Sequence, residues 1–315
     1  MSELVSATIK DVKNACRKMW SNENTRNYPI NVMGPPGIGK TDLFAQLSEE
    51  WGATYAVFLT ATMDPTDVVG IPHEKDGITH FCAPKDWIAL TEDCHKLGKD
   101  PKTNRLVVDP EIPMVAVLED LPACNPQVFN SLLRVLCNGE VAGSRIRKNV
   151  LLGATGNRVE DRAGAAQIPS ALANRFIHFE VGTDLSEWVQ WTTENKVSPY
   201  IITFVERKGI TALHNFDPTS GFLAYPTPRS VTMASAMVNV IGSNENELTR
   251  VLSGCCGYGW ASEFVSFFRI REKIIPIEEI YANPKKARIP GETEIDIIFS
   301  TINNLIGDII ANFTP

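Results

Sequence analysis

Residues 34–41 read Gly-Pro-Pro-Gly-Ile-Gly-Lys-Thr, a complete Gly-x4-Gly-Lys-Thr pattern. This pattern permits few folds, because its glycines must turn the backbone tightly between a strand and a helix, so that successive N–H groups face a phosphate chain. The flanks agree, since residues 29–33 form an apolar strand-like run and Leu43, Phe44 and Leu47 give a helical apolar stripe. We therefore predict that the chain binds a nucleoside triphosphate.

The loop residues have distinct predicted parts in binding ATP and Mg2+. Lys40 is expected to reach the β- and γ-phosphates, and Thr41 to ligate Mg2+. The other predicted cofactor-binding residues are Gly34, Pro35, Pro36, Gly37, Ile38, Gly39 and Asp42.

The length and composition are those of an ordinary globular protein. The chain has 315 residues, of which 43% are hydrophobic and 21% are charged. No apolar run approaches the roughly 18 residues of a membrane span, and the first residues lack the basic region and apolar core of a signal peptide. We expect no membrane insertion and a cytoplasmic location, in a bacterial cytoplasm or, for a viral chain, in that of the host.

Cysteine usage and net charge disfavour several classes of site. The seven cysteines are odd in number and include no Cys-x2-Cys pair, which argues against a disulfide framework and against structural zinc. Most are predicted to be reduced core residues, and the adjacent Cys255 and Cys256 fit either a redox element or a packed helix turn. A net charge of −7 makes nucleic acid an unlikely partner, although a local basic pore loop would be compatible with it.

Strand-like runs in the first part of the chain predict an α/β fold. They lie at residues 29–33, 55–59, 114–118, 150–154 and 176–181 and alternate with helical or loop segments. This order predicts a five-stranded parallel sheet covered on both faces, the αβα sandwich of P-loop NTPases, with the nucleotide at its carboxyl edge. Apolar residues from Val5 to Met19 recur at helical spacing and predict a helix over the first twenty residues.

After about residue 183, strand signals fade and helical patterns dominate. Helices are predicted at 185–194, 199–208, 228–241, 245–252, 261–273 and 295–311. We therefore predict two domains, an α/β nucleotide-binding domain at 1–183 and a mainly α-helical lid domain at 184–315.

Glu119 and Asp120 directly follow the strand-like run 114–118, where Mg2+ and the attacking water belong. A buried strand rarely ends in two adjacent acids without a cation to compensate them, although an exposed loop start would explain the pair equally well in isolation. Together with the phosphate loop, the pair predicts a Walker B arrangement in which Glu119 joins Thr41 as a metal ligand.

Three further polar residues complete the candidate catalytic set of Glu119, Asp120, Asn157, Arg175 and Arg229. Asn157 follows a predicted strand and would orient water beside the γ-phosphate, or serve as a turn residue. Arg175, delivered by the short helix 170–176, suits phosphoryl charge in cis or from a neighbouring subunit. Arg229, at the first turn of a second-domain helix, would touch phosphate and couple the domains, or be a surface charge.

Taken in order, these motifs resemble the AAA+ ATPases and, within them, the MoxR-like group (dynein-related/MoxR-type AAA domain). The resemblance is carried by residues 34–41, 63–72, 115–122, 156–158, 170–176 and 225–230. It implies that Asn157 is sensor 1, Arg175 an arginine finger acting on a neighbour and Arg229 sensor 2. It also implies a homo-oligomer, usually a hexameric ring.

The same resemblance implies a helix-2 insertion at about 62–90 and a short hairpin at 139–147, elements that face the central pore in related motors. Trp87, near the end of the insertion, would either anchor it to the core or grip a partner. The implied activity is Mg-dependent ATP hydrolysis by a chaperone-like remodelling or assembly factor acting on a protein client. MoxR-like relatives commonly work with partners that bear a von Willebrand factor A domain.

One departure from the family pattern keeps other functions open. The usual order of the two acids is Asp then Glu, whereas this chain has Glu119 then Asp120. The swap shortens the expected base by one methylene and predicts hydrolysis that persists but is slow. The alternatives are a slowly hydrolysing nucleotide-gated binding module and a nucleic-acid motor or clamp-loader-like ATPase, while a small-molecule kinase fits least well.

Overall fold

The computed structural model describes residues 4–103, 106–161, 164–242, 244–269, 275, 277–291 and 294–313. The chain divides into two compact units, Met1–Gly182 and Thr183–Pro315. Within the described ranges, no helix combines the length and the apolar character needed to cross a bilayer.

The strands of the described residues all lie in the first unit. They are β1 (Ser6–Ala7), β2 (Ile30–Met33), β3 (Thr54–Leu59), β4 (Ile71–Lys75), β5 (Ile78–Cys82), β6 (Met114–Glu119), β7 (Glu140–Val141), β8 (Ser144–Arg145), β9 (Val150–Gly156) and β10 (Ile177–Val181). The main sheet is six-stranded with the order β1-β10-β2-β9-β6-β3, and all of its pairings are parallel. The α/β sandwich and the predicted strands are confirmed.

The prediction of five strands and of a helix over the first twenty residues is wrong at the start of the chain. Ser6 and Ala7 form β1, which pairs with Glu180 and Val181 of β10 and adds a sixth strand at the sheet edge. The helix begins only at Ile9, because the Thr8 side chain accepts a hydrogen bond from the Asp11 N–H and the Asp11 carboxylate accepts one from the Thr8 N–H.

Helices cover both faces of the sheet. In the first unit they are α1 (Ile9–Trp20), α2 (Lys40–Glu50), α3 (Pro65–Val69), α4 (Lys85–Ile88), α5 (Pro126–Asn138) and α6 (Ser170–Ala173). The sequence of strand β6 is apolar without interruption because both faces of the strand are buried. Val115 and Val117 pack with the residues of α1 and α2, whereas Ala116 and Leu118 pack with those of α5. Short 3-10 turns follow β3 at Thr60–Thr62 and β6 at Leu121–Ala123.

The segment between β3 and β6 contains the predicted insertion. It consists of α3, the antiparallel hairpin β4–β5 and α4. Trp87 is 1% exposed and packs against Phe58 of β3 with ring centroids 4.4 Å apart, which confirms the interpretation that it anchors the insertion to the core. The short hairpin predicted at 139–147 is also present, as β7–β8.

The second unit is helical. Its helices are α7 (Leu185–Glu194), α8 (Pro199–Lys208), α9 (Ile210–Leu213), α10 (Pro228–Ile241), α11 (Glu245–Cys256), α12 (Tyr258–Phe268), α13 (Ile277–Ala282) and α14 (Ile295–Phe313). The helices predicted at 185–194, 199–208 and 228–241 are confirmed. Those predicted at 245–252 and 261–273 meet instead at Gly257, whose φ of 89° breaks the helix, and residues 270–273 lie outside the described ranges.

Candidate nucleotide-binding site

The predicted phosphate loop connects the end of β2 to the start of α2. Gly37 and Gly39 have φ values of 76° and 95°, in the left-handed region that favours glycine. Position 34 requires glycine for lack of space, since a Cβ there would overlap the carbonyl oxygen of Val181. The backbone therefore leaves a concave turn at the N-terminus of α2, which fits a phosphate group.

Lys40 lies inside this turn and is 8% exposed. Its Nζ donates hydrogen bonds to the carbonyl oxygens of Gly34 and Pro35, both at 2.8 Å, and to Oδ1 of Asn157 at 3.0 Å. A buried ammonium group favours an anion beside it. The third bond brings the predicted sensor residue Asn157 to the phosphate loop.

Thr41 and Glu119 meet on the other side of the loop. The Thr41 hydroxyl donates to Oε1 of Glu119 at 2.7 Å. The backbone carbonyl of Glu119 in turn accepts a hydrogen bond from the Thr60 hydroxyl at 2.8 Å, which secures the end of β6. A hydroxyl and a carboxylate in contact are the hard oxygen ligands that Mg2+ prefers, so these two residues fit the predicted metal role.

Asp120 follows Glu119 in a left-handed conformation, with φ 53° and ψ 41°. This conformation is uncommon for a residue other than glycine, and it turns the chain into the 3-10 turn Leu121–Ala123. The two adjacent acids therefore differ in their surroundings, because only the Glu119 carboxylate is hydrogen-bonded to Thr41.

Tyr55, on β3, belongs to the site although the sequence analysis missed it. Its hydroxyl donates to the Thr41 carbonyl at 3.2 Å. Burial, with smaller contributions from the negative charges of Glu119 and Asp42, raises the pKa of the phenol to about 12. The phenol therefore stays neutral and remains a donor. One tyrosine in an apolar strand carries no sequence signal that would have identified it.

Arg158 forms a second group that the sequence analysis missed. Its guanidinium bonds Asp161 at 2.8 Å and Glu180 of β10 at 3.0 Å, and Asp161 is 3% exposed. These partners raise the pKa of Arg158, the hydrogen bond with Asp161 contributing most. The arrangement ties the segment after Asn157 to β10 and so supports the position of the Asn157 amide. The three-residue spacing of Arg158 and Asp161 was an available signal.

The two predicted catalytic arginines, Arg175 and Arg229, lie on other elements of the chain. Arg175 lies between α6 and β10 in the first unit, and its side chain is exposed. It makes no ion pair with any residue in the described ranges. Arg229 is exposed in the first turn of α10, in the second unit, where Thr227 caps the helix with Ser230. The roles of both remain predictions.

The described residues contain no group of three or more His, Cys, Asp or Glu side chains arranged to hold a metal ion. A Mg2+ site built on Thr41 and Glu119 would therefore take its other ligands from nucleotide phosphates and water, as Mg2+ sites in phosphoryl-transfer proteins do. The arrangement can hold a triphosphate, a divalent cation and a water molecule at one edge of the sheet.

The chain was compared with curated proteins, solved structures and protein-family models. A search of curated proteins found no match. The solved structures similar to this chain include a RuvB mutant from Thermotoga maritima, which is 14% identical, with 96% of this chain and 83% of that chain covered and a TM-score of 0.44. Residues 29–176 match a family model described as AAA domain (dynein-related subfamily) and include the phosphate loop, Glu119 and Asn157. This segment of the chain is therefore similar to AAA domains of the dynein-related subfamily.

Proposed function

We propose that the chain is a Mg-dependent ATPase subunit of the AAA+ class, of MoxR-like type, which acts in a homo-oligomeric ring, usually hexameric, to remodel or assemble a protein client. The observation that carries the proposal is the pair of hydrogen bonds from the phosphate loop, Lys40 to Asn157 at 3.0 Å and Thr41 to Glu119 at 2.7 Å. They bring the ends of β9 and β6 to one loop, which supports a site for hydrolysis as well as for binding.

Each residue has a defined task in this proposal. The Lys40 ammonium exchanges the carbonyls of Gly34 and Pro35 for phosphate oxygens. Thr41 and Glu119 hold Mg2+, which when bound would neutralise charge on the phosphate oxygens. Asp120 accepts the proton of the attacking water, and the Asn157 amide orients that water without competing for the metal.

The ring assembly rests on Arg175. An exposed guanidinium without an ion pair in the described ranges is available to the nucleotide of a neighbouring subunit, where arginine stabilises the charge of phosphoryl transfer. In this proposal the client is a protein, and one bearing a von Willebrand factor A domain is the first candidate. The sensor-2 role of Arg229 and a cytoplasmic location belong to the same proposal.

A slowly hydrolysing, nucleotide-gated binding module is the second candidate. The observation that favours it is the order of the two acids. The Glu119 carboxylate accepts a hydrogen bond from Thr41, which leaves the shorter Asp120 side chain as the base. Such a module would bind ATP and change its partner affinity with little turnover.

Steady-state ATP hydrolysis, compared between the wild type and Lys40→Ala, tests the proposal. We expect Mg-dependent turnover that Lys40→Ala reduces to background. Lys96 pairs with Asp93 on the surface, so the control variant Lys96→Ala should keep the wild-type rate. Equal background rates, together with ATP binding that Lys40→Ala abolishes, would favour the binding module.

A pull-down separates a protein client from a nucleic acid. Asp120→Asn should trap the ATP-bound state, and the bound material is then analysed for both protein and DNA. The net charge of −7 leads us to expect protein and not DNA in the bound material. Recovery of DNA without protein, or stimulation of ATP hydrolysis by DNA or RNA, would contradict the proposed client.

A further inference from the structure

A cavity of about 200 Å³ lies in the first unit among residues that take no part in the nucleotide-binding site. Its walls come from four elements: the end of α3 with Val68, one face of α5 with Arg134, the turn of the β7–β8 hairpin, and strand β5. This volume is below the roughly 300–1,000 Å³ of a site for a whole drug-sized molecule. It suits one side chain of a larger ligand whose main chain lies along the opening.

Strand β5 meets this cavity with its edge. Three consecutive residues, Thr79, His80 and Phe81, line the wall. The face of a strand would present alternate residues, because successive side chains point to opposite sides. Strand β5 pairs with β4 alone, so its other edge is open in the described part of the chain.

The register of the hairpin identifies which backbone groups lie on that open edge. Lys75 pairs with Ile78 next to the two-residue turn, and Pro72 lies opposite Phe81. Because proline has no N–H, Pro72 and Phe81 form a pair without mutual hydrogen bonds, and such pairs alternate along an antiparallel ladder. The N–H and C=O groups of Phe81 and Thr79 therefore point away from β4, ready to pair with another strand.

Arg134 gives the wall of the cavity a positive charge. Its side chain is exposed and forms no hydrogen bond or ion pair with any residue in the described ranges. Glu140 also lines the cavity, but Arg145 lies 3.9 Å from it and offsets its charge. A ligand that brings a carboxylate to Arg134 would form a charge-assisted hydrogen bond, whereas a cationic one would be repelled.

We propose that this cavity binds an extended segment of a protein, which pairs with the open edge of β5 and places an Asp or Glu side chain against Arg134. Main-chain hydrogen bonds would supply affinity and the acidic side chain specificity, as in other cases of strand addition. The inference rests on the proposed function only in taking the ligand to be the protein client.

The charge requirement is tested with short fluorescent peptides of alternating Thr and Val that differ only at the central residue, titrated into the full-length chain without nucleotide. We expect central Asp or Glu to bind about tenfold more tightly than central Lys, the factor that corresponds to one charge-assisted contact. Arg134→Gln should remove this preference and Arg134→Glu reverse it, while Arg269→Gln, in the second unit, should leave it unchanged. No preference, or one insensitive to Arg134, would refute the proposal.

The backbone requirement needs a separate pair of variants. Thr79→Pro removes the outward N–H but no hydrogen bond of the hairpin, and Thr79→Ala controls for the lost side chain. We expect Thr79→Pro to weaken peptide binding about tenfold relative to Thr79→Ala, with circular dichroism unchanged for both. Equal binding by the two would rule out strand addition.

Lys40→Ala distinguishes a failure of this inference from a failure of the proposed function. The variant should bind the acidic peptide as the wild type does, because the cavity shares no residue with the phosphate loop. Selective peptide binding by a wild-type chain that does not hydrolyse ATP would overturn the proposed function and leave this inference intact. Displacement of the peptide by duplex DNA in an Arg134-dependent manner would overturn this inference.

Discussion

At the scale of single residues, substitutions of the adjacent Glu119 and Asp120 are expected to change different kinetic properties. Asp120→Asn should lower kcat by roughly 10²–10⁴, the usual contribution of a general base, while leaving the Mg2+ concentration needed for half-maximal rate unchanged. Glu119→Gln should raise that Mg2+ concentration, because Glu119 contacts Thr41 at 2.7 Å. Steady-state kinetics over a Mg2+ titration measure both. Normal turnover by Asp120→Asn with none by Glu119→Gln would reverse the two assignments.

Gly34 and Gly52 offer a matched test of why the phosphate loop requires glycine. A Cβ at Gly34 would overlap the carbonyl of Val181, whereas one at Gly52 meets no atom within 4 Å, although φ is +60° there. We expect Gly52→Ala to cost about 1 kcal/mol of unfolding free energy from backbone conformation alone. Gly34→Ala should cost more and also weaken nucleotide binding, because β10 must move away. Urea unfolding measures the stability of each variant, and titration with a fluorescent ATP analogue measures nucleotide binding. Equal effects of Gly34→Ala and Gly52→Ala would show that lack of space is not what requires glycine at position 34.

The residues of the site divide by how far the sequence could predict them. Lys40, Thr41 and Glu119 follow from patterns of fixed spacing, and the structure brings them together with Asn157. Tyr55 could not be predicted, because its role arises from a contact between a strand and a helix start. Long-range partners of this kind have no local signature.

At the scale of the element, Trp87 should determine whether the segment from α3 to α4 stays attached to the sheet. Trp87→Ala removes a side chain that is 1% exposed and packed on Phe58, and we expect a loss of about 3–5 kcal/mol in urea unfolding. Its Nε1 has no hydrogen-bond partner among the described residues. Trp87→Phe should therefore cost less than Trp87→Ala, since it keeps an aromatic ring against Phe58 and no hydrogen bond is lost. Similar losses for the two variants would mean that the indole N–H, and not the packing, matters.

Helices α8 and α10, which have a local start signal, were predicted to the residue, whereas strand β1 was missed. Helices α8 and α10 begin at Pro199 and Pro228, and proline favours the first turn of a helix. Strand β1 has two residues, too few for any periodic pattern, and exists only because it pairs with β10. Its edge position depends on a contact with residues far along the chain, which no local pattern contains.

At the scale of the whole molecule, the two units have separate hydrophobic cores. In the first unit, one cluster includes Leu118 and Trp87 and another includes Phe44 and Val117. The cluster of the second unit centres on Phe204, which contacts Trp260 edge to face at 5.2 Å. The change from strand to helical patterns near residue 183 is the basis of the two-domain prediction, because each secondary-structure class buries its apolar face within its own layer.

Separate cores predict separate unfolding, and the cysteines report it without added probes. Cys82 and Cys137 are exposed and should react with iodoacetamide in the native protein. Cys16 in the first unit and Cys256 in the second should resist it, because burial raises the pKa of each thiol to about 12 and leaves little thiolate at about pH 8. In a urea series read by peptide mass spectrometry, we expect Cys16 and Cys256 to become reactive at different midpoints. A common midpoint would show that the two units unfold as one cooperative structure.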